Sequence, residues 1–302
     1  MLLITEAQVA QALSLAPAAA IHSALRQAFV HLAEGRAAVL ARGRAGATAA
    51  DGAALMVSAM GAVLDDVLGT KVYSTRNGQF QFVITLFDSA SGAPLATLEA
   101  NELTRLRTAA TTALAVDALA APEASVLSLF GAGTQARAHA QALRGLRRFE
   151  RVLVCARSGG EAFAAEIGAE LVDAASAAAQ GDVIVTCTRA SEPLFDGALV
   201  RPGAVVAAVG SSKPAARELD DTLLARAAAV VVEWLPAARA EAGELVRAAP
   251  GVIAPERLIE LGSLLAVPRP HDPQAITVYK SVGIGLEDVA LARLVHQSLN
   301  TG

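Results

Sequence analysis

SVLSLFGAGTQARA, residues 125–138, is the stretch that decides the fold. SVLSLF is apolar and strand-like, a glycine turn follows it, and TQARA opens a helical stretch. Gly131, Gly133 and Ala136 fall in the pattern G-x-G-x-x-A. The first glycine permits a tight turn, the second lets backbone approach a pyrophosphate, and the small third residue allows close helix–strand packing. Thr134 and Gln135 lie in the first helical turn, where free amides and the helix dipole favour a phosphate. Two glycines in a turn mean little alone. Here a strand precedes them, a helix follows, and a second strand, RVLVCA (151–156), comes at the expected distance, so the turn reads as a dinucleotide site.

Outward from that turn the chain keeps alternating. Strands at DVIVTC (182–187), 204–209, 229–233 and 276–279, separated by crossover-length helical stretches, imply an α/β fold with a Rossmann-type, doubly wound parallel sheet. The end of the second strand selects the cofactor. An NAD-type site places an acid there, whereas this chain has Cys155, Ala156, Arg157 and Ser158, with no acid before Glu161. A guanidinium and a hydroxyl suit a ribose 2′-phosphate, which predicts NADPH, with NADH as the alternative. The competing reading of Arg157 is a surface arginine at a strand end.

Upstream, Thr5 and Gln8 form a capping box and a second helix runs from Pro17 to Gly35, with Ile21, Leu25, Phe29 and Leu32 on one face. Strands are expected at 55–60, 70–73, 80–87 and 94–98, the last two joined by a DSASG turn, followed by a helix over 103–119 and a break at Pro122. A final helix spans 286–298. The expected organisation is an α+β unit of residues 1–120 with 288–302, and a nucleotide-binding unit of residues 121–287.

Composition excludes several classes. The 302 residues suffice for two domains, and 54% hydrophobic with 4% aromatic content suits alanine-rich helices on a sheet. No apolar run has the length of a membrane span, and MLLITEAQVA lacks a basic region before its apolar residues, so neither a span nor a secretory signal is expected. Two scattered cysteines, Cys155 and Cys187, suit a reducing cytoplasm. A net charge of −4 argues against nucleic acid or an anionic membrane as partner; the basic run RGLRRFER (144–151) reads as a solvated helix end. His22, His31, His139, His271 and His296 show no ligand spacing, so no metal is expected.

Five segments in order, LTRLRTAATTALA (103–115), GAGTQARA (131–138), EPLFDG (192–197), AVGSSKPAARELD (208–220) and YKSVGIGLEDV (279–289), together resemble the ornithine cyclodeaminase and mu-crystallin family over essentially the whole chain. The resemblance implies a homodimer with a discontinuous dimerisation and substrate domain beside the Rossmann domain. It implies a substrate pocket containing Lys71 and Arg107 and a third basic group, Arg42 by spacing or else Arg44. It further implies that Thr108 and Ser281 lie close to the cofactor, with Thr188 and Val209 on its nicotinamide side. Arginines suit the carboxylate of a small imino or amino acid, and Lys71 suits proton delivery while hydride reaches a C=N carbon. Without the resemblance these charges read as solvated ones. Where the family's ornithine cyclodeaminases carry an aspartate, this chain has Ser212. The expectation is therefore an NADPH-dependent reductase of cyclic ketimines such as Δ1-pyrroline-2-carboxylate or Δ1-piperideine-2-carboxylate. Ornithine cyclodeaminase, alanine dehydrogenase and a non-catalytic, crystallin-like NADPH-binding protein are the alternatives.

Overall fold

The computed structural model describes residues 1–267 and 272–300; His271 lies outside them. The chain opens with strand β1 (Leu2–Ile4) and helices α1 (Glu6–Leu15) and α2 (Ala18–Ala33). The capping box at Thr5 and Gln8 is present, and Ile21, Leu25 and Phe29 are buried as their spacing requires. Five strands follow: β2 (Ala38–Thr48), β3 (Ala54–Val63), β4 (Val67–Arg76), β5 (Gln79–Asp88) and β6 (Pro94–Glu99). They form one sheet in the order β1-β6-β5-β4-β3-β2, antiparallel except for the β1–β6 pair. The four strands expected here all exist and each is longer than expected. β2 was not foreseen, because ARGRAG is mostly exposed on both faces of an edge strand and shows no apolar alternation.

Helix α3 (Asn101–Leu119) leads to β7 (Val126–Phe130), α4 (Thr134–Leu146), β8 (Arg151–Cys155), α5 (Gly160–Ile167), β9 (Glu170–Leu171), α6 (Ala174–Gln180), β10 (Val183–Thr186) and β11 (Val205–Ala208). Then come α7 (Asp221–Arg226), β12 (Ala229–Val232), α8 (Leu235–Glu241), α9 (Gly243–Val246), β13 (Leu258–Glu260), α10 (Leu261–Ala266), β14 (Thr277–Lys280) and α11 (Gly285–Asn300). The eight later strands make a wholly parallel sheet, β13-β12-β14-β11-β10-β7-β8-β9. The strand order reverses at β7, as a doubly wound sheet requires. The short strands β1, β9 and β13 carry too few residues to show a period.

Packing divides the chain into Met1–Thr111 with Ile284–Gly302, and Thr112–Gly283. The first division falls inside α3, ahead of the Pro122 break, because the second half of that helix bonds to the nucleotide-type unit: Thr112 Oγ1 lies 3.0 Å from Nε2 of the buried His139 on α4. The other falls at Gly283, where β14 has ended.

Candidate active site

In the first unit, β4 turns Val67, Gly69, Lys71 and Tyr73 toward the core, so a lysine occupies a row that alternation reserves for apolar side chains. α11 packs against this face at glycines. A Cβ on Gly285 would meet the Gly61 backbone at 2.5 Å, and one on Gly69 would meet Val289 Cγ2 at 2.8 Å. That close approach puts the first turn of α11 over the sheet, with Glu287 and Asp288 fully buried.

A compact ionic cluster results. Lys71, 1% exposed, donates from Nζ to Asp288 Oδ1 at 2.9 Å and to Thr104 Oγ1 at 2.8 Å. Arg107, three residues beyond Thr104 on α3 and so on the same face, donates from Nε to the same Asp288 oxygen at 3.0 Å and from Nη1 to the Glu287 carboxylate. The other Asp288 oxygen is buried and has no hydrogen-bond partner among the described residues. The Lys71 ammonium lies 4.4 Å from the centroid of Phe82, which stacks on Phe80 and packs against Tyr73. Burial pulls the Lys71 pKa from 10.5 down to about 7; Asp288 opposes that pull, and the charges of Arg107 and Arg42 add to it. Arg42 sits where β2 slips register between Leu40 and Gly43, an irregularity of the kind that redirects a side chain. It is half-buried while Arg44 is exposed. Thr108 lies one turn after Thr104, its hydroxyl bonded to the Thr104 carbonyl at 2.7 Å.

In the second unit, the glycine turn has the shape expected of a phosphate cradle. Gly131 has φ +112°, and a Cβ there would strike the Cys187 carbonyl at 2.8 Å. Gly133 caps α4 with no side-chain hydrogen bond, and a Cβ there would meet nothing within 4 Å. In the first turn Thr134 is exposed and Gln135 half-buried, while Ala136 is fully buried. The buried Oε1 of Gln135 has no partner among the described residues. An anionic dinucleotide fits this donor set. Arg157 and Ser158 are exposed at the end of β8, and Arg157 makes no hydrogen bond or ion pair among the described residues. Their loop runs beside the cradle, since a Cβ on Gly159 would lie 3.9 Å from Ala132 Cβ.

Thr188 and Val209 follow the neighbouring strands β10 and β11. Both amide and hydroxyl of Thr188 donate to Oε1 of Glu218, at 2.8 and 2.7 Å. Ser281, after β14, donates to Glu233 Oε1 at 2.5 Å, and the Val282 and Gly283 amides donate to Oε2 at 2.9 and 3.0 Å. Ser212, half-buried, lies in the loop after β11, beside Ser211, whose carbonyl accepts from the fully buried Lys280 at 2.9 Å.

The structure thus joins Lys71 and Arg107 through Asp288, adds Arg42 through its charge, and adds Glu287, Asp288, Thr104 and Phe82, which sequence reasoning did not assign. The signals were a lysine in an inward row of β4 and an acidic pair inside the apolar stretch GIGLEDVALA. Glu218 and Glu233 were equally unforeseen, because a loop acid looks solvated until the fold buries it.

The family model described as ornithine cyclodeaminase/mu-crystallin family matches residues 2–302. Ketimine reductase mu-crystallin of Mus musculus is 34% identical over 250 residues, covering 79% of this chain and 78% of that protein. A Bordetella pertussis structure, described as a probable ornithine cyclodeaminase, is 44% identical with a TM-score of 0.92, covering 100% of this chain and 97% of that one. The Δ1-pyrroline-2-carboxylate reductase of Thermococcus litoralis, solved with NADH and L-proline, is 27% identical with a TM-score of 0.88, covering 100% and 98%. This chain belongs to the ornithine cyclodeaminase/mu-crystallin family.

Proposed function

We propose that this protein, an oxidoreductase of that family, reduces cyclic ketimino acids such as Δ1-pyrroline-2-carboxylate or Δ1-piperideine-2-carboxylate to L-proline or L-pipecolate, using NADPH in preference to NADH. The observation that carries the reading is the buried cluster in which Asp288 Oδ1 serves both Lys71 and Arg107. Lys71, Arg107 and Arg42 bring three cationic groups to this region, and a substrate carrying one carboxylate suits them. The arginines hold that carboxylate, and a planar fork fixes its direction. The Phe82 ring offers an apolar face to the substrate ring.

A bound reduced nicotinamide supplies hydride to the C=N carbon. The chain must then supply a proton at nitrogen. Lys71 Nζ suits this step because its pKa of about 7 leaves it part protonated and able to release the proton near neutrality. Binding the substrate carboxylate favours the protonated lysine, so the acid is charged when it is needed. The second Asp288 oxygen can accept the N–H that forms once Lys71 has given its proton to the nitrogen.

NADPH preference rests on Arg157 and Ser158 at the end of β8, where the ribose-binding acid is absent. The proposed homodimer rests on the outward face of the first sheet. Val72 pairs with Val83 there, and these with Leu40, Val57 and Val63 are all exposed apolar side chains, a patch that suits a second copy. No described helix is long and apolar enough to cross a membrane; a cytoplasmic location belongs to the proposal.

The competing reading is ornithine cyclodeamination, favoured by the 44% identical neighbour. Against it stands Ser212, which cannot ionise near neutral pH where a cyclodeaminase needs an acid to manage the amine. NADPH oxidation measured over a panel of cyclic imines and of pyruvate with amines, beside ammonia release from ornithine with NAD⁺, separates the readings: turnover confined to the imines supports reduction, and turnover with ornithine alone refutes it.

A further inference from the structure

We propose that Glu218 is a positioning residue that sets the nicotinamide end of the cofactor site while leaving the adenosine end untouched. The inference rests on the cofactor reading above and extends it to a residue that touches neither cofactor nor substrate.

Glu218 is 0% exposed, and its carboxylate meets four donors. Oε1 accepts from the Thr188 amide at 2.8 Å and the Thr188 hydroxyl at 2.7 Å. Oε2 accepts from the Thr186 hydroxyl at 2.7 Å and the Gly210 amide at 2.8 Å. One side chain thus ties together the carboxyl ends of β10 and β11, neighbouring strands on one side of the point where the sheet order reverses. Ligands of doubly wound sheets bind at that end of the strands. Val209 is pinned between two of these restraints, its own amide bonded to the Thr186 carbonyl at 3.0 Å and the next amide bonded to Glu218. Gly210 shows how tight the arrangement is: a Cβ there would lie 2.2 Å from the Thr188 carbonyl and 2.4 Å from Glu218 Oε1.

Only an acceptor-only group satisfies four donors in this way. Glutamine has nearly the same shape but presents an NH2 to two of them. Glu218 is itself held from behind: its amide donates to Glu244 Oε1 at 2.9 Å, and Glu244 pairs with Lys280 at 3.0 Å, all three side chains being fully buried. None of the Glu218 hydrogen bonds reaches the Gly131–Ala136 cradle or Arg157, the parts that would hold the phosphates and the adenosine ribose. Its direct restraints fall on Thr186, Thr188 and Gly210, with Val209 held between two of them.

The test uses the full-length protein and two ligands: NADPH, and 2′-phospho-ADP-ribose, which lacks the nicotinamide. For Glu218→Gln, NADPH affinity should fall by about tenfold, since a backbone amide loses its buried acceptor and a threonine hydroxyl must turn to accept, and binding of the shorter ligand should stay within about twofold of wild type. The milder Thr186→Val, which removes one donor, should shift the same ratio by about threefold and carries the test where Glu218→Gln does not fold. Equal weakening of both ligands, or no weakening of either, overturns the proposal and makes Glu218 a structural residue only. Wild-type protein that binds neither ligand refutes the cofactor reading and this inference with it. Wild-type binding of both with an unchanged ratio in the variants refutes this inference alone.

Discussion

Lys71 and Asp288 lie 217 residues apart in the chain, yet their side chains meet at 2.9 Å with both groups buried. The carboxylate holds the lysine's proton against a burial that would otherwise expel it. If Lys71 is the acid, kcat/KM for imine reduction should fall as pH rises through about 7, because the free protein loses the proton there. Asp288→Asn removes the charge that raises the Lys71 pKa, so that fall should begin at lower pH. The variant should also lose about 3–5 kcal/mol of stability, the usual result of breaking a buried pair. pH–rate profiles and denaturant melts of both proteins check this. An unmoved profile in Asp288→Asn contradicts it.

Arg107→Ala should lower kcat/KM at least about tenfold, because truncating one partner of a buried charge pair strands the other. Arg107→Lys keeps the charge but not the fork, and should raise KM more than it lowers kcat. NADPH affinity, measured by fluorescence titration, should be unchanged in both.

Arg157→Ala should reduce the ratio of kcat/KM for NADPH over NADH by about tenfold, the worth of a charge-assisted hydrogen bond to phosphate. A wild type that prefers NADH, or a ratio untouched by the substitution, contradicts the assignment.

His139 is fully buried and neutral: Nδ1–H donates to the Gln135 carbonyl at 2.7 Å and Nε2 accepts from Thr112 at 3.0 Å. Burial lowers its pKa from 6.5 to about 4. The unfolded chain therefore binds a proton that the folded one refuses, and stability should be lost as pH falls from about 6.5 toward 4, up to about 3 kcal/mol from this group. The acid limb of a Tm–pH curve should flatten in His139→Gln.

The nucleotide-type unit was legible in the sequence because each of its longer strands is an apolar run closed by a turn, and because the two glycines sit between a strand and a helix. The ionic cluster was not. Arg107 and Glu287 are separated by 180 positions, and no local pattern states that α11 returns to cover β4. Lys71 and Arg107 were singled out by the family resemblance alone, since β4 alternates residues that look equally exposed until one face is covered. Arg42 could be chosen over Arg44 only by spacing. The slip in β2 register, a matter of pairing rather than composition, accounts for their different burial.

Whether the protein reduces ring imines, as proposed, or cyclises ornithine is decided by measuring proline in parallel: from Δ1-pyrroline-2-carboxylate with NADPH, and from ornithine with NAD⁺, with ammonia assayed in the second reaction. Steady proline formation with stoichiometric NADPH oxidation is expected in the first and none in the second. Ammonia release from ornithine, with no reduction of the imine, would contradict the proposal and would show that Ser212 does not stand in the way of cyclodeamination.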